Sequence, residues 1–169
     1  MGKRVIDKAD FYLRRGDRKR LGRLLRKRRY APPLVAWLVF RAVWQYRGML
    51  PWLLDQGAPP DCKLDPGDGT PLMDAAVTGD LEAMRLLLDH GADPNARNGR
   101  NELPLGFACS YQQWEAAKLL VERGANVNGI EDEGMTHLDY VRDEEGIRVL
   151  RALGGLLYEE VDQHNGMNK

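Results

Sequence analysis

The sequence predicts an all-α helical-repeat solenoid of about five units, closed at both ends by divergent caps. Three observations carry this. The chain repeats itself at a fixed spacing, its apolar residues recur at helical period within each repeat, and glycines stand where the helices must stop. With 169 residues, 43% of them hydrophobic and 30% charged, the composition suits one soluble folded domain with a continuous core.

The repetition is clearest in the middle of the chain. Thr70-Pro71-Leu72-Met73-Asp74-Ala75-Ala76 leads through Gly79-Asp80 and Leu81-Glu82-Ala83-Met84-Arg85-Leu86-Leu87-Leu88 to Gly91-Ala92-Asp93-Pro94-Asn95. Thirty-three residues later Pro104-Leu105 matches Pro71-Leu72, Ala108 matches Ala75, Leu119-Leu120 matches Leu86-Leu87, and Gly124-Ala125-Asn126-Val127-Asn128 matches residues 91–95. Each unit reads as two short antiparallel helices. Thr70 caps the first, and Pro71 takes the first helical position, where a missing N–H is no loss. Leu81, Met84, Leu87 and Leu88 give the second helix one apolar face, and Gly91 ends it by accepting the left-handed conformation. A single pair of helices cannot bury that face alone, so the units must stack.

These residues resemble the ankyrin-repeat family, with Met73 where the family's T-P-L-H-x-A signature carries His. The repeat frame divides the chain into a basic N-terminal cap (3–33), a divergent repeat without the Thr-Pro signature (34–65), two clear repeats (66–98 and 99–132), a shortened C-terminal cap (133–155) and a tail (156–169) expected to be mobile from Gln163 onward. Upstream, Gly16-Asp17 corresponds to Gly79-Asp80 and Leu24-Leu25 to Leu87-Leu88, while Leu53-Leu54-Asp55-Gln56-Gly57 reproduces the end of a unit.

Net charge is zero but segregated. The first thirty residues hold 13 Lys and Arg against three Asp, and the rest hold 12 basic against 22 acidic residues, so +10 faces −10. Leu21, Leu24 and Leu25 make an apolar stripe through the basic segment, the pattern of a capping helix packed on one side. Protein docking is a second reading of that segment. Nucleic acid or an anionic membrane is the disfavoured third, since only Tyr30 stands near the cations as a stacking residue.

Nothing in the chain reads as a catalytic centre, and no cofactor or metal is expected. There is no phosphate loop, G-x-S-x-G elbow, kinase set or H-E-x-x-H. Cys62 and Cys109 are far apart and read as packed thiols; His90, His137 and His164 are isolated and read as structural. Glu131-Asp132-Glu133 and Asp143-Glu144-Glu145 read as solvated turns. The N-terminus lacks the apolar run of a secretory signal, and the longest apolar stretch, 34–40, is too short to cross a bilayer, so a cytoplasmic setting is expected.

The family resemblance implies a concave recognition face built from turn tips and first helices. It places Pro66, Gly67, Gly69, Val77, Thr78 and His90 there in the first clear repeat, Arg97, Arg100, Glu102, Ser110, Tyr111 and Arg123 in the second, and Ile130, Asp132, Glu133, Asp143 and Glu144 in the cap. Tyr111 and Arg100 are the expected anchors, because aromatic and Arg side chains dominate interface energies. Trp44 is a further candidate, although Trp37, Trp44 and Trp52 could equally fill the core of the divergent unit; Trp52 is assigned to the core.

The expected function is non-catalytic protein binding. Small free-standing chains of this kind resemble bacterial accessory proteins, among them toxin-immunity factors, and the acidic balance of residues 31–169 suits a basic toxin domain. A cytosolic regulatory scaffold or adaptor, and a nucleic-acid-associated protein using the basic segment, stand as alternatives. The oligomeric state stays open.

Overall fold

A computed structural model describes residues 3–27, 32–65, 67–131 and 134–166. Eleven α-helices run through them: α1 (Lys3–Arg14), α2 (Arg18–Lys27), α3 (Pro32–Trp44), α4 (Leu50–Asp55), α5 (Pro71–Thr78), α6 (Leu81–Asp89), α7 (Pro104–Ser110), α8 (Trp114–Glu122), α9 (His137–Tyr140), α10 (Glu144–Ala152) and α11 (Tyr158–Gly166). A 3-10 turn, Arg47–Met49, precedes α4. No strand occurs among the described residues. The architecture is the all-helical repeat solenoid that the sequence predicts.

Local chemistry sets the helix boundaries. Thr70 Oγ1 accepts from the Met73 N–H at 3.4 Å, and Pro71 begins α5. Asp17, Asp80 and Asp143 open the second helices α2, α6 and α10, each carboxylate accepting an N–H three residues on, at 2.9, 3.2 and 2.7 Å. At Gly91 and Gly124 (φ 90° and 94°) α6 and α8 end in paired turns: Ala92 N–H donates to Leu87 O at 3.0 Å and Ala125 N–H to Leu120 O at 2.9 Å.

Two rows of helices result. The first helices α1, α3, α5, α7 and α9 pack in sequence, and behind them α4, α6, α8 and α10 form the second row. One hydrophobic core runs the length of both, from Leu13, Leu21 and Leu25 through Leu38, Leu53, Leu72 and Leu87 to Leu105, Leu120, Leu138 and Leu150. Trp37 and Trp52 pack against it. Trp52 lies across α2 at Gly22, tying the basic cap to the divergent unit.

Successive units are also joined by side-chain amides. Asn95 Nδ2 donates to Gly124 O at 2.9 Å while its Oδ1 accepts from Asn126 N–H at 2.8 Å. Asn128 repeats this one unit on, with Gly154 O at 3.2 Å and Leu156 N–H at 2.7 Å.

The start of the tail folds back on the C-terminal cap. It forms α11 and is anchored: Arg151 grips Glu160 through two bonds of 2.7 and 3.3 Å, and the Tyr158 N–H donates to Asp139 Oδ2 at 3.0 Å. These contacts join residues 9 and 19 apart, so no local pattern announces them. No helix among the described residues is long and apolar enough to cross a membrane.

Candidate protein-binding face

Because the first helices pack in order, their last turns emerge side by side. Trp44 closes α3, Val77 and Thr78 close α5, and Ser110 with Tyr111 closes α7. Trp44 and Tyr111 remain 52% and 56% exposed, although each ring would gain from burial. Trp44 is therefore not a core residue of the divergent unit. It is positioned instead by Asp74, whose Oδ2 accepts from the indole N–H at 2.6 Å. Burial pushes the Asp74 carboxyl above its usual value; the Trp44 bond works against this and the nearby Asp68 charge adds to it.

The tip between the two regular repeats is a closed turn. Asn98 N–H donates to Glu102 O at 3.2 Å, and Asn98 Oδ1 accepts from the N–H groups of Arg100 and Glu102 at 2.9 and 3.0 Å. The turn holds Arg100 outward, with three quarters (75%) of its side chain exposed and Nε donating to Glu102 Oε2 at 3.1 Å. So exposed a pair is worth at most about 1 kcal/mol, which leaves the guanidinium free to exchange acceptors. Arg100, Glu102, Gly106, Phe107, Ser110, Tyr111 and Glu131 line one cavity of about 250 Å³. Four sequence candidates thus meet at a single concavity.

Glu131 is what the sequence reading missed. Expected in a solvated turn, its side chain is only 14% exposed. Its Oε1 accepts from the Leu103 N–H at 2.7 Å and faces His137 Nε2 at 3.6 Å, an electrostatic rather than hydrogen-bonded distance; its Oε2 accepts from Tyr140 at 3.3 Å. Burial raises the Glu131 carboxyl, but the contacts of His137, the Leu103 N–H and Tyr140 together outweigh it and hold the group below its usual value. A Cβ on Gly106 would come within 2.2 Å of the carboxylate, so this glycine inside α7 is what admits it. Burial, and then the charges of Glu131 and Asp143, push the Cys109 thiol up to about 12, which leaves it unreactive.

Other candidates have structural work. Arg97 donates to Asn101 O, Asn101 Oδ1 and Ile130 O at 2.8, 2.9 and 3.0 Å, bridging two loops. Asp143 is the cap of α10, and Glu144 is exposed in that helix's first turn. His90 and Arg123 lie on the second row, bonded to Asp55 at 3.3 Å and Asp89 at 2.7 Å, and not with the tips. Gly67 O accepts from the Gly99 N–H at 3.0 Å and Ile130 O from Arg97, so both border the tips, while Gly69 lies against the Met73 side chain. Pro66, Asp132 and Glu133 lie outside the described residues. No group of three or more metal-ligating side chains occurs among the described residues.

A family model described as ankyrin repeats (three copies) matches residues 39–131. Among curated relatives, alpha-latrocrustotoxin-Lt1a of Latrodectus tredecimguttatus is 31% identical over 70% of this chain and 9% of its own length. A putative ankyrin repeat-containing protein of Treponema pallidum is 38% identical over 44% of this chain and 25% of its own. Protein phosphatase 1 regulatory subunit 27 of Homo sapiens is 35% identical over 37% of this chain and 41% of its own. The chain therefore spans less than half of each of these relatives. With the family match covering more than half of its own residues, the chain belongs to the ankyrin-repeat family, whose repeats are protein–protein interaction modules and generally not catalytic.

Proposed function

We propose that the chain binds a protein partner on the concave row from Trp44 through Thr78 to Tyr111 and Arg100, without turnover, and that the partner is a basic domain of the kind a toxin-immunity protein would neutralise. The observation that carries this is the pairing of two half-exposed aromatic rings with a cavity of about 250 Å³ beside an outward Arg. Rigid aromatic and Arg side chains at a concavity are what interface hot spots consist of. Relatives named as different things, a toxin and a phosphatase regulatory subunit, match the chain over 9% and 41% of their own lengths, which supports binding rather than chemistry as the common element.

The preference for a basic partner rests on the −10 balance of residues 31–169. Charges such as Glu144 would steer association, while Tyr111 would hold the complex. Arg97, Glu102 and Asp143 act in this reading by shaping the tips and α10.

The test begins with a pull-down from the native cell and mass identification of the bound protein, followed by calorimetry. Tyr111→Ala should weaken binding roughly thirtyfold, the equivalent of ~2 kcal/mol at a hot spot. Reversal of the exposed Glu144 should mainly slow association at low salt, whereas Asp143, as the cap of α10, is left in place. Folded Tyr111→Ala and Arg100→Ala variants that bind like wild type would rule out this face.

A further inference from the structure

The N-terminal cap carries a second, oppositely charged site. α1 and α2 lie against each other and leave a cleft of about 460 Å³ lined by Lys8, Tyr12, Arg20, Arg23, Leu24 and Arg26. Four of these six side chains are cations and none is acidic. Arg20 meets Asp17 at 3.5 Å, whereas Lys8, Arg23 and Arg26 have no ion-pair partner among the described residues. Of the other acids of the cap, Asp10 is taken by Arg14 at 2.8 Å and Arg41 at 3.1 Å, and Asp7 does not line the cleft.

A cap built only to face water does not need this arrangement. Solubility is served by interspersed signs, as on α8, where Lys118 meets Glu115 at 2.6 Å. Along α2, Lys19, Arg20, Arg23 and Arg26 instead stand three and four residues apart as mutually repelling neighbours. A polyanion relieves that repulsion.

The structure also discriminates among polyanions. Leu13, Leu21 and Leu25 are fully spent on the core, and among the described side chains of the cap Phe11 is the one large apolar group left exposed, too little to enter a bilayer. In sequence Tyr12 precedes the densest basic stretch, 14–29, and the fold of α1 onto α2 sets it among the cations of the cleft. Beside it the Phe11 ring, 45% exposed, meets Tyr12 edge-on at 5.8 Å and carries the Arg15 guanidinium at 4.6 Å. Cations that track phosphates beside aromatic rings on which bases stack are what single strands require.

We infer that the cleft between α1 and α2 binds single-stranded nucleic acid, with Lys8, Arg20, Arg23 and Arg26 on the phosphates and Tyr12 stacked on a base. The acidic remainder of the chain repels phosphates and confines the strand to this end. The site is separate from the concave face and does not depend on it.

The test is fluorescence anisotropy of the full chain with a labelled oligothymidylate of about twenty nucleotides. Four phosphate contacts at about −0.7 each in the salt slope should weaken binding roughly fiftyfold between about 50 and about 200 mM salt. The exposed double variant Arg23→Glu with Arg26→Glu should lose at least about tenfold at the lower salt and flatten the slope. Tyr12→Leu, which keeps an apolar contact with the core but leaves no ring to stack, should lose about fivefold or more with the slope unchanged. Tyr111→Ala should bind the strand like wild type. No binding at the lower salt would overturn the inference, and so would polyglutamate competing as well as the oligonucleotide, which points to an acidic protein segment. Sedimentation with phosphatidylserine vesicles in the absence of strand binding would overturn it in favour of a membrane.

Discussion

The second helix of the cap, α2, and that of the first regular repeat, α6, obey one rule inside and opposite rules outside. Both open on an aspartate that caps the helix, and both bury the centre of their apolar stripe fully, Leu21 and Leu25 in one case, Met84 and Leu87 in the other. On the surface α6 mixes Glu82, Arg85 and Asp89, while the described side chains of α2 show five cations, Arg18, Lys19, Arg20, Arg23 and Arg26, and no acid. The junctions differ as well. The regular repeats are laced by Asn95 and Asn128, whereas the cap holds on through its leucines, Trp52 over Gly22, and the contact of Arg41 with Asp10. Core placement makes the solenoid, and surface chemistry divides it into a cationic end and a concave face with exposed aromatic rings, the two places where we propose binding.

Removing residues 1–29 would break the comparison most severely. Each buried leucine is worth about 1.5–3 kcal/mol, so the loss of Leu13, Leu21 and Leu25 alone approaches the ~5–15 kcal/mol that holds a whole domain. The expected outcome is aggregation or loss of the cooperative transition in a circular-dichroism melt. A truncated chain that melted like the intact one would show that the leucines of α2 contribute nothing comparable to those of α6.

The sequence was legible where the signal is periodic. Thr70-Pro71, the apolar spacing of 81–88, and Gly91 and Gly124 each have one cheap conformation, so the paired helices could be read directly. Arg100, Glu102, Ser110 and Tyr111 could be placed at one concavity because the repeat fixes which turn each occupies. Long-range side-chain pairings were not legible. Glu131 reaches back 28 residues to the Leu103 N–H, Trp44 reaches 30 residues to Asp74, and Arg97 is consumed by Ile130 33 residues away. One clue was present: Gly106 interrupts a short helix, and a glycine there signals a close approach by some other group. Tyr12 joins the cations of α2 only because the chain reverses at Gly16, which no charge count reveals.

The buried carboxylate of Glu131 allows a second, smaller test within the regular half. Its folded value lies below the ordinary one, so its contribution to stability is present above the ordinary glutamate range and is lost as pH falls through the folded value. Asp61 and Asp74, raised chiefly by burial, have the opposite sign and become less unfavourable in acid. Comparing wild type with Glu131→Gln isolates the first effect. Denaturant titrations should show the variant weaker by about 1–3 kcal/mol at neutral pH, with the gap closing in acid. A gap independent of pH would mean that the Glu131 charge adds nothing and that only its shape matters.

The smallest effect separates the two kinds of junction. Asn95→Ala removes one bond to Gly124 O and one from the Asn126 N–H, and both freed groups belong to exposed residues that water can reach. Without a buried orphan the loss should stay near ~1 kcal/mol, a shift of roughly 2–4 °C in melting for a chain of this size. The informative readout is local. Hydrogen exchange at the Asn126 amide should accelerate well beyond that global change, while amides of α1 and α2, whose junction has no such rung, keep their wild-type protection. Because Asn95 lies three residues before the tip turn that Asn98 closes, loosening it should also raise the ordering penalty for Arg100 on binding, so partner affinity should fall slightly more than stability does. Unchanged exchange at Asn126 would assign the rigidity of the regular repeats to helix packing alone, and the contrast with the cap would then lie in charge and not in how the units are joined.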